Sequence, residues 1–318
     1  MLRKKLMTLA TVVMVGAVGL VGCSSESRSK EDFKVTLVLS EGGVNDQSFN
    51  QSAWEGALKA QTKHENLEVK YLESASDADY LQNIETAVDS ESDLIIGVGF
   101  QMTDVIKESA KNYPEQNFAI IDGSYEEIPS NVRPILFDEE GAGYSVGLIA
   151  GKTTKTNKVG FVGGMDIPSV SQFLVGFEKG VKEVNPDIEV LSQYANSFTD
   201  AAKGRVIAQQ MIQQKTDILF TAGGAVNTGV FEVVREADVR AIGVDMPMNY
   251  ISPDYIITSA LKNVGTGVEL TINDLVNGSF VGGQAQVYDL SNGGVGYEDT
   301  KHLSEELKSF VDEKLSNK

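Results

Sequence analysis

From Phe33 to Asp245 the chain alternates short, near-continuous apolar runs with segments whose apolar residues recur at helical spacing, and this alternation leaves few folds open. The strand candidates of the first half are VTLVLS (35–40), LEVKYL (67–72), DLIIGVG (93–99), NFAIID (117–122) and RPILF (133–137). Between them Trp54, Ala57, Leu58 and Gln61, then Leu81, Ile84 and Val88, then Val105, Ile106 and Tyr113 fall on helical faces. Strands that are apolar on both faces and alternate with helices predict a parallel sheet covered on two sides. The cadence restarts at KVGFVGG (158–164), followed by a helix that opens at Pro168-Ser169 and carries Val170, Phe173, Leu174, Phe177, Val181 and Val184 on one face. It continues through IEVLSQY (188–194), a helix around Val206 to Ile212, DILFTAGG (217–224), a helix near Thr228 to Ala237 and RAIGVD (240–245). Two successive βα lobes are therefore expected, with a ligand cleft beyond the carboxyl ends of the strands.

The length agrees, since 318 residues correspond to about two domains of ordinary size. With 42% hydrophobic and 23% charged residues and only 7 Pro, collagenous, disordered and disulfide-stapled architectures are excluded. One Cys and two His cannot make a Cys/His zinc cluster, and neither a metal nor a cofactor is expected. A Ser-His-Asp or Cys-His arrangement would need His64 or His302, and both stand in charged, helix-like surroundings (KHEN, KHLS) that suit a solvated surface residue. The formal charge is −18; without Arg3, Lys4 and Lys5 of the leader, 24 basic residues face 45 acidic ones, a balance of −21. Such a surface repels nucleic acid and anionic lipid, and no interior cluster of Lys and Arg offers a pocket for a polyanion.

Residues 1–22 have the parts of a secretory signal: a basic start, an apolar run from Leu6 to Val21 and small residues at the end. The run is shorter than the 18 or more residues of a spanning helix and ends in Leu20-Val21-Gly22-Cys23, which resembles the bacterial lipoprotein lipobox. That resemblance implies that Cys23 becomes the first mature residue and carries the lipid. The stretch SSESRSKED that follows has the composition of a flexible tether.

Three glycine-rich stretches invite a nucleotide-binding reading. Gly147 to Thr153 imitates a phosphate-binding loop, but its first Gly is one residue too close and the residues before it read as helix. Gly141, Gly143 and Gly147 are one residue too widely spaced for a dinucleotide fingerprint. Gly163-Gly164 and Gly223-Gly224 do follow strands, where sharp turns and close backbone approach to a ligand both call for Gly.

The most specific stretch follows the first strand and runs from Glu41 to Gly56, EGGVNDQSFNQSAWEG. Here the chain closely resembles the basic membrane protein family of substrate-binding lipoproteins, which includes the purine nucleoside receptors of ABC importers. The resemblance continues through FAIIDG, VGFVGGMDIPSVSQFLVGFEKG, NSFTDAAKG, TAGGAVNTGV, IGVD and TSALKNVGTG and so spans the mature body. It implies a two-lobed periplasmic-binding-protein type I fold, each lobe a parallel sheet flanked by helices, crossed by the chain three times. Residues 1–22 are then the signal and 23–32 the tether. Residues 33–137 with 251–280 are expected to form the first lobe, 138–250 with 281–290 the second, and 291–318 a C-terminal segment with a terminal helix.

A nucleoside offers a flat base with a polar edge and a ribose diol, so its site needs aromatic faces and carboxylates. In the resemblance Phe49 stacks the base; Asp46 beside it can accept from the N–H edge of a purine, with Asn45 and Asn50 to orient it. Capping a helix that begins near Ser52 is the competing role for Asp46 and Asn50. The matching Asp245 holds the ribose hydroxyls and Lys262 reaches the sugar; Asp122 occupies the equivalent mouth position of the first lobe, and Gly224 is a candidate for close approach. Phe173 lies on an apolar helical face that suits core packing as well as a second stacking face, Phe198 competes for that stacking face, and Trp54 has helical spacing that suits the core. One departure stands after IGVD, where Met246-Pro247 replaces the family's small residue and second acid and is expected to alter the pocket rim.

The function implied is a monomeric, lipid-anchored receptor on the extracytoplasmic face of a bacterial cell membrane. It would bind a purine nucleoside and present it to permease subunits served by a separate cytoplasmic ATPase. A receptor for a sugar or other polar metabolite is the alternative on the same fold. A nucleoside hydrolase would need an Asp cluster for a metal or a poised His, and the sequence offers neither; an adhesin or signalling lipoprotein stays open.

Overall fold

A computed structural model describes residues 32–317; the leader, Cys23 and most of the tether lie outside these described residues. In chain order the elements are β1 (Phe33–Leu39), α1 (Phe49–Lys63), β2 (Leu67–Glu73), α2 (Tyr80–Asp89), β3 (Leu94–Val98), α3 (Thr103–Asn112), β4 (Asn117–Ile121) and β5 (Val132–Phe137). Then follow α4 (Glu139–Thr153), β6 (Lys158–Gly163), α5 (Pro168–Val184), β7 (Glu189–Tyr194), α6 (Ala201–Gln213), β8 (Ile218–Ala222), α7 (Val226–Glu236), β9 (Arg240–Asp245) and β10 (Ile256–Lys262). The chain ends with α8 (Val264–Val276), β11 (Gln286–Tyr288), β12 (Val295–Tyr297) and α9 (Glu305–Ser316).

The strands make two six-stranded sheets, ordered β11-β5-β4-β3-β1-β2 and β12-β10-β9-β8-β6-β7. Every pairing is parallel except that of β12 with β10. Strands such as β3 and β8 are buried along their whole length, as a sheet covered on both faces requires. The chain passes between the sheets three times, after β5, after β10 and after β11.

Two strand memberships differ from the sequence expectation. The segment 251–280 does not stay with the first lobe: β10 pairs with β9 in the second sheet, and only α8 returns to pack on α1, Gly265 meeting Gly56. Within 281–290, assigned to the second lobe, β11 instead pairs with β5 in the first sheet. The reason is physical: β10 is buried almost throughout and needs a strand on each side, which β9 and β12 supply. Periodicity identifies such a segment as a strand without naming its neighbours.

The second sheet is packed by an aromatic cluster in which Phe220 lies 5.2 Å from Phe177, 5.3 Å from Phe161 and 6.0 Å from Phe173, centroid to centroid. Burying one such ring contributes about 1.5–3 kcal/mol. The glycines that imitate nucleotide motifs also belong to packing. A Cβ on Gly143 would lie 2.2 Å from the carbonyl oxygen of Phe173, one on Gly147 2.4 Å from that of Phe177, and one on Gly180 2.3 Å from that of Tyr144. The backbones of α4 and α5 therefore touch along a stripe of glycines. Gly147→Val should destabilise the protein by about 1–3 kcal/mol or more, the usual cost of overpacking, read as a lower urea midpoint. An unchanged midpoint would mean that the helices separate freely.

Candidate functional site

The carboxyl ends of strands from both sheets converge on one cleft. Its wall takes Ser40 and Glu41 from the end of β1, Gly99 from β3, Asp122 from β4, Gly223 and Gly224 from β8, Asp245 from β9 and Lys262 from β10. This is where open parallel sheets present loops rather than side-chain layers. Phe49, the first residue of α1, and Phe100, Phe173 and Phe198 supply apolar walls.

Polar order in the cavity centres on Lys262, whose side chain is 2% exposed. Its Nζ donates to Asp122 Oδ2 at 2.6 Å and to Glu139 Oε1 at 2.7 Å, and lies 5.3 Å from the Phe49 and Phe137 centroids and 6.0 Å from that of Phe173. Burial alone would push the ammonium pKa down, but Asp122, Glu139 and Asp245 outweigh it and hold it above the ordinary value. Burial raises Glu139 to about 7, with Lys262 pulling the other way. Burial likewise raises Asp245 to about 6, opposed by Lys262 and by the Ser48 hydroxyl that donates to its Oδ2. Asp122 Oδ1 is buried without any hydrogen-bond partner, an acceptor turned to no protein donor.

Asp122 and Asp245 are a matched pair. β4 and β9 hold the same position in their sheets, and the two residues have φ of 65° and 64°, left-handed backbone that a non-Gly residue adopts at a cost. At Asp245 the Met246 N–H donates to the Val244 carbonyl, closing a γ-turn about this left-handed residue.

A family model described as "ABC transporter substrate-binding protein PnrA-like" matches residues 33–318. The "ABC transporter nucleoside-binding protein BmpA" of Lactococcus lactis subsp. cremoris is 36% identical over 321 residues, covering 92% of this chain and 91% of that protein. A "CD4+ T-cell-stimulating antigen" of Listeria monocytogenes is 39% identical over 343 residues, covering 98% and 96%. Among solved structures, an ABC transporter solute-binding protein from Aeropyrum pernix K1 superposes with a TM-score of 0.80 at 32% identity, covering 90% of this chain and 80% of that one.

The chain belongs to the PnrA-like family of ABC transporter substrate-binding proteins. Its fold is the two-lobed periplasmic-binding-protein type I architecture, and its family works outside the cytoplasm as receptors rather than enzymes. Among the described residues no helix is long and apolar enough to cross a membrane.

Of the residues singled out in this substrate-binding protein's sequence, Asp46, Phe49, Asp122, Phe173, Gly224, Asp245 and Lys262 line the cavity together, and so does Phe198. Asn50 does not. Its amide donates to the carbonyls of Ser40, Glu41 and Gly43 while its Oδ1 accepts from Ser40 Oγ, so it fixes the loop after β1. Asp46 both lines the cavity and caps α1, accepting from the backbone N–H of Ser48, Asn50 and Gln51; burial still raises its pKa more than these donors lower it. The helix it caps starts at Phe49, three residues before the expected Ser52. Trp54 stands apart, edge-on to Tyr71 at 4.9 Å. Met246 and Pro247 do not line the cavity, and the loop they open is tied back by Glu298, which accepts from the N–H of Met248 and Asn249.

Contributors absent from the sequence reading include Glu139, Ser48, Phe100 and Phe137. Glu139 follows a capping Asp in the first turn of α4, where an acid is ordinarily explained by the helix dipole. No local pattern distinguished it.

The Asp245 shift carries a stability consequence. A carboxyl moved from 3.8 to about 6 in the folded state is held protonated by the fold, so its ionisation destabilises. This cost is absent below the unfolded pKa, grows as pH rises through about 6 and is constant above it. Asp245→Asn should therefore raise stability at pH 7, by roughly 1–3 kcal/mol for a shift of this size, and leave it nearly unchanged at pH 4. Denaturant titrations at the two pH values measure it, and an Asn variant less stable at pH 7 would contradict the assignment.

Proposed function

We propose that this substrate-binding protein takes a purine nucleoside into the cavity and presents it to the permease of an importer whose ATPase is a separate cytoplasmic subunit. The observation that carries the reading is the joining of aromatic walls to a cluster of hydroxyl acceptors: Phe49 and Phe173 flank the Lys262 ammonium, beside Asp122 and Asp245. In this reading Phe49 stacks the base, with Phe198 or Phe173 on its other face. Asp46 accepts from the base edge, and Asp122, Asp245 and Lys262 hold the ribose hydroxyls. The nucleoside-binding name of the Lactococcus relative supports the same class. Phosphorylated forms should bind more weakly, because Glu41, Asp46, Asp122 and Asp245 line the cavity and its Lys262 is already paired with carboxylates.

Calorimetric titration with adenosine, guanosine, inosine, their monophosphates, free bases and ribose tests this. Nucleosides should bind, and Phe49→Ala should cost about 1–3 kcal/mol across all bases, since every base has a π-face. Asp245→Asn should instead fall on nucleosides and 2′-deoxynucleosides unequally, because a hydrogen bond to a charged group contributes about 1.5–3 kcal/mol only where the hydroxyl is present. A pentose binding more tightly than any nucleoside would replace the nucleoside with a sugar as the ligand.

The same reading makes the protein a lipid-anchored one, held at the extracytoplasmic face through Cys23. Its support is the lipobox-like Leu20-Val21-Gly22-Cys23 and the polar stretch before the folded body. Cys23→Ala should abolish incorporation of a radiolabelled fatty acid. Equal labelling of wild type and variant would remove the anchor.

A further inference from the structure

Helix α4 begins with three acids, Asp138, Glu139 and Glu140, and two of them have ordinary work. Asp138 is the N-cap and accepts from the Gly141 N–H. Glu140 pairs with Lys179 on the neighbouring helix. Glu139 serves neither end: it is 8% exposed, and its carboxylate points at Lys262 Nζ, 123 residues away. A carboxylate withdrawn from water without a capping duty is costly unless its partner needs it.

The location explains the need. Glu139 follows β5 at the first passage between the sheets, and Lys262 ends β10 at the second, so the pair joins two of the three connections. Asp122 reaches the same ammonium from the end of β4 in the first sheet. An ammonium has three N–H donors. Two are committed to Asp122 Oδ2 and Glu139 Oε1, and the third remains, beside the unpartnered Asp122 Oδ1.

We propose that Glu139 is a positioning residue for ligand recognition: without touching the ligand, it fixes the Lys262 ammonium so that its remaining N–H and Asp122 Oδ1 act as an adjacent donor and acceptor in the cavity. The inference rests on the nucleoside reading for its choice of probe, but not for its geometry. Asp122 alone would leave the ammonium free to swing about one ion pair. Two carboxylates on different elements fix it, as supporting hydrogen bonds do for a preorganised site.

The test is a double-mutant cycle read by calorimetry with inosine. Glu139→Gln should weaken inosine binding by roughly tenfold or more, the scale of losing a charge-assisted hydrogen bond. In the Lys262→Met background the same change should alter affinity by less than about twofold, because a residue that acts through Lys262 has nothing left to act on. Glu139→Asp, which keeps the charge but withdraws it by one methylene, should fall between wild type and Glu139→Gln and covers the case in which the Gln variant does not fold. A second arm needs no ligand: the Lys262 ammonium should give a slowly exchanging 1H–15N signal in the free wild-type protein, lost in Glu139→Gln while the backbone amide spectrum stays folded. Equal losses with and without Lys262, or an ammonium signal indifferent to Glu139→Gln, would overturn the proposal. If wild type binds neither inosine, guanosine nor adenosine, the nucleoside reading fails while the ammonium signal still decides the role of Glu139.

Discussion

The buried ammonium of Lys262 is the constraint on which the arrangement of the cleft depends. It stands where the second sheet hands the chain back to the first, and carboxylates from two other elements meet it at 2.6 and 2.7 Å. A charge this deep is tolerated only with its partners in place, and removing one side of such a pair typically costs about 3–5 kcal/mol. The connection after β5, the end of β4 and the end of β10 must therefore arrive together. The cavity beyond the strand ends inherits its geometry from that requirement.

The two sheets are built to one plan, and the site comes from the places where they depart from it. β4 and β9 match, and each is followed or closed by an Asp in left-handed backbone, so the two carboxylates enter from opposite lobes. β5 and β10 also match, yet they end differently. The first runs Phe137-Asp138-Glu139 into α4, the second Lys262-Asn263-Val264 into α8. Asp138 and Asn263 are the flanking residues of their helices in both cases. The acid Glu139 enters on a helix packed against α5 of the second lobe, where Lys262 ends β10, while Asp122 meets the same ammonium from the end of β4 in the first sheet. The Asp122–Lys262 pair therefore joins the two sheets at the site.

Much of this was legible in the sequence. Apolar runs alternating with helical faces sufficed for two parallel sheets, and Asp122, Gly224 and Asp245 each end an apolar run, the place where such sheets present ligand sites. The sheet membership of β10 and β11 was not legible, because burial on both faces marks a strand as interior without saying which sheet it is interior to. Asn50 misled for a related reason. An amide beside a site has the same composition whether it faces a ligand or, as here in the first turn of α1, holds three carbonyls of the loop after β1. Glu139 was hidden by a sufficient local explanation, since an acid in the first turn of a helix needs no distant partner.

The charge balance of the cavity narrows what can fill it. Glu41, Asp46, Asp122 and Asp245 line the wall, and the single cation among the lining residues already serves Asp122 and Glu139. An anion entering there would meet acceptors and a neutralised donor, with few surface cations to draw it in from a chain of net charge −18. A neutral molecule with several hydroxyl or N–H donors and an apolar face meets the opposite situation. Its donors answer carboxylates that burial has deprived of water, and its face covers the Phe49 ring. Each hydrogen bond then relieves a desolvation cost that the free protein already bears, so stability withheld from the empty cleft is available to binding.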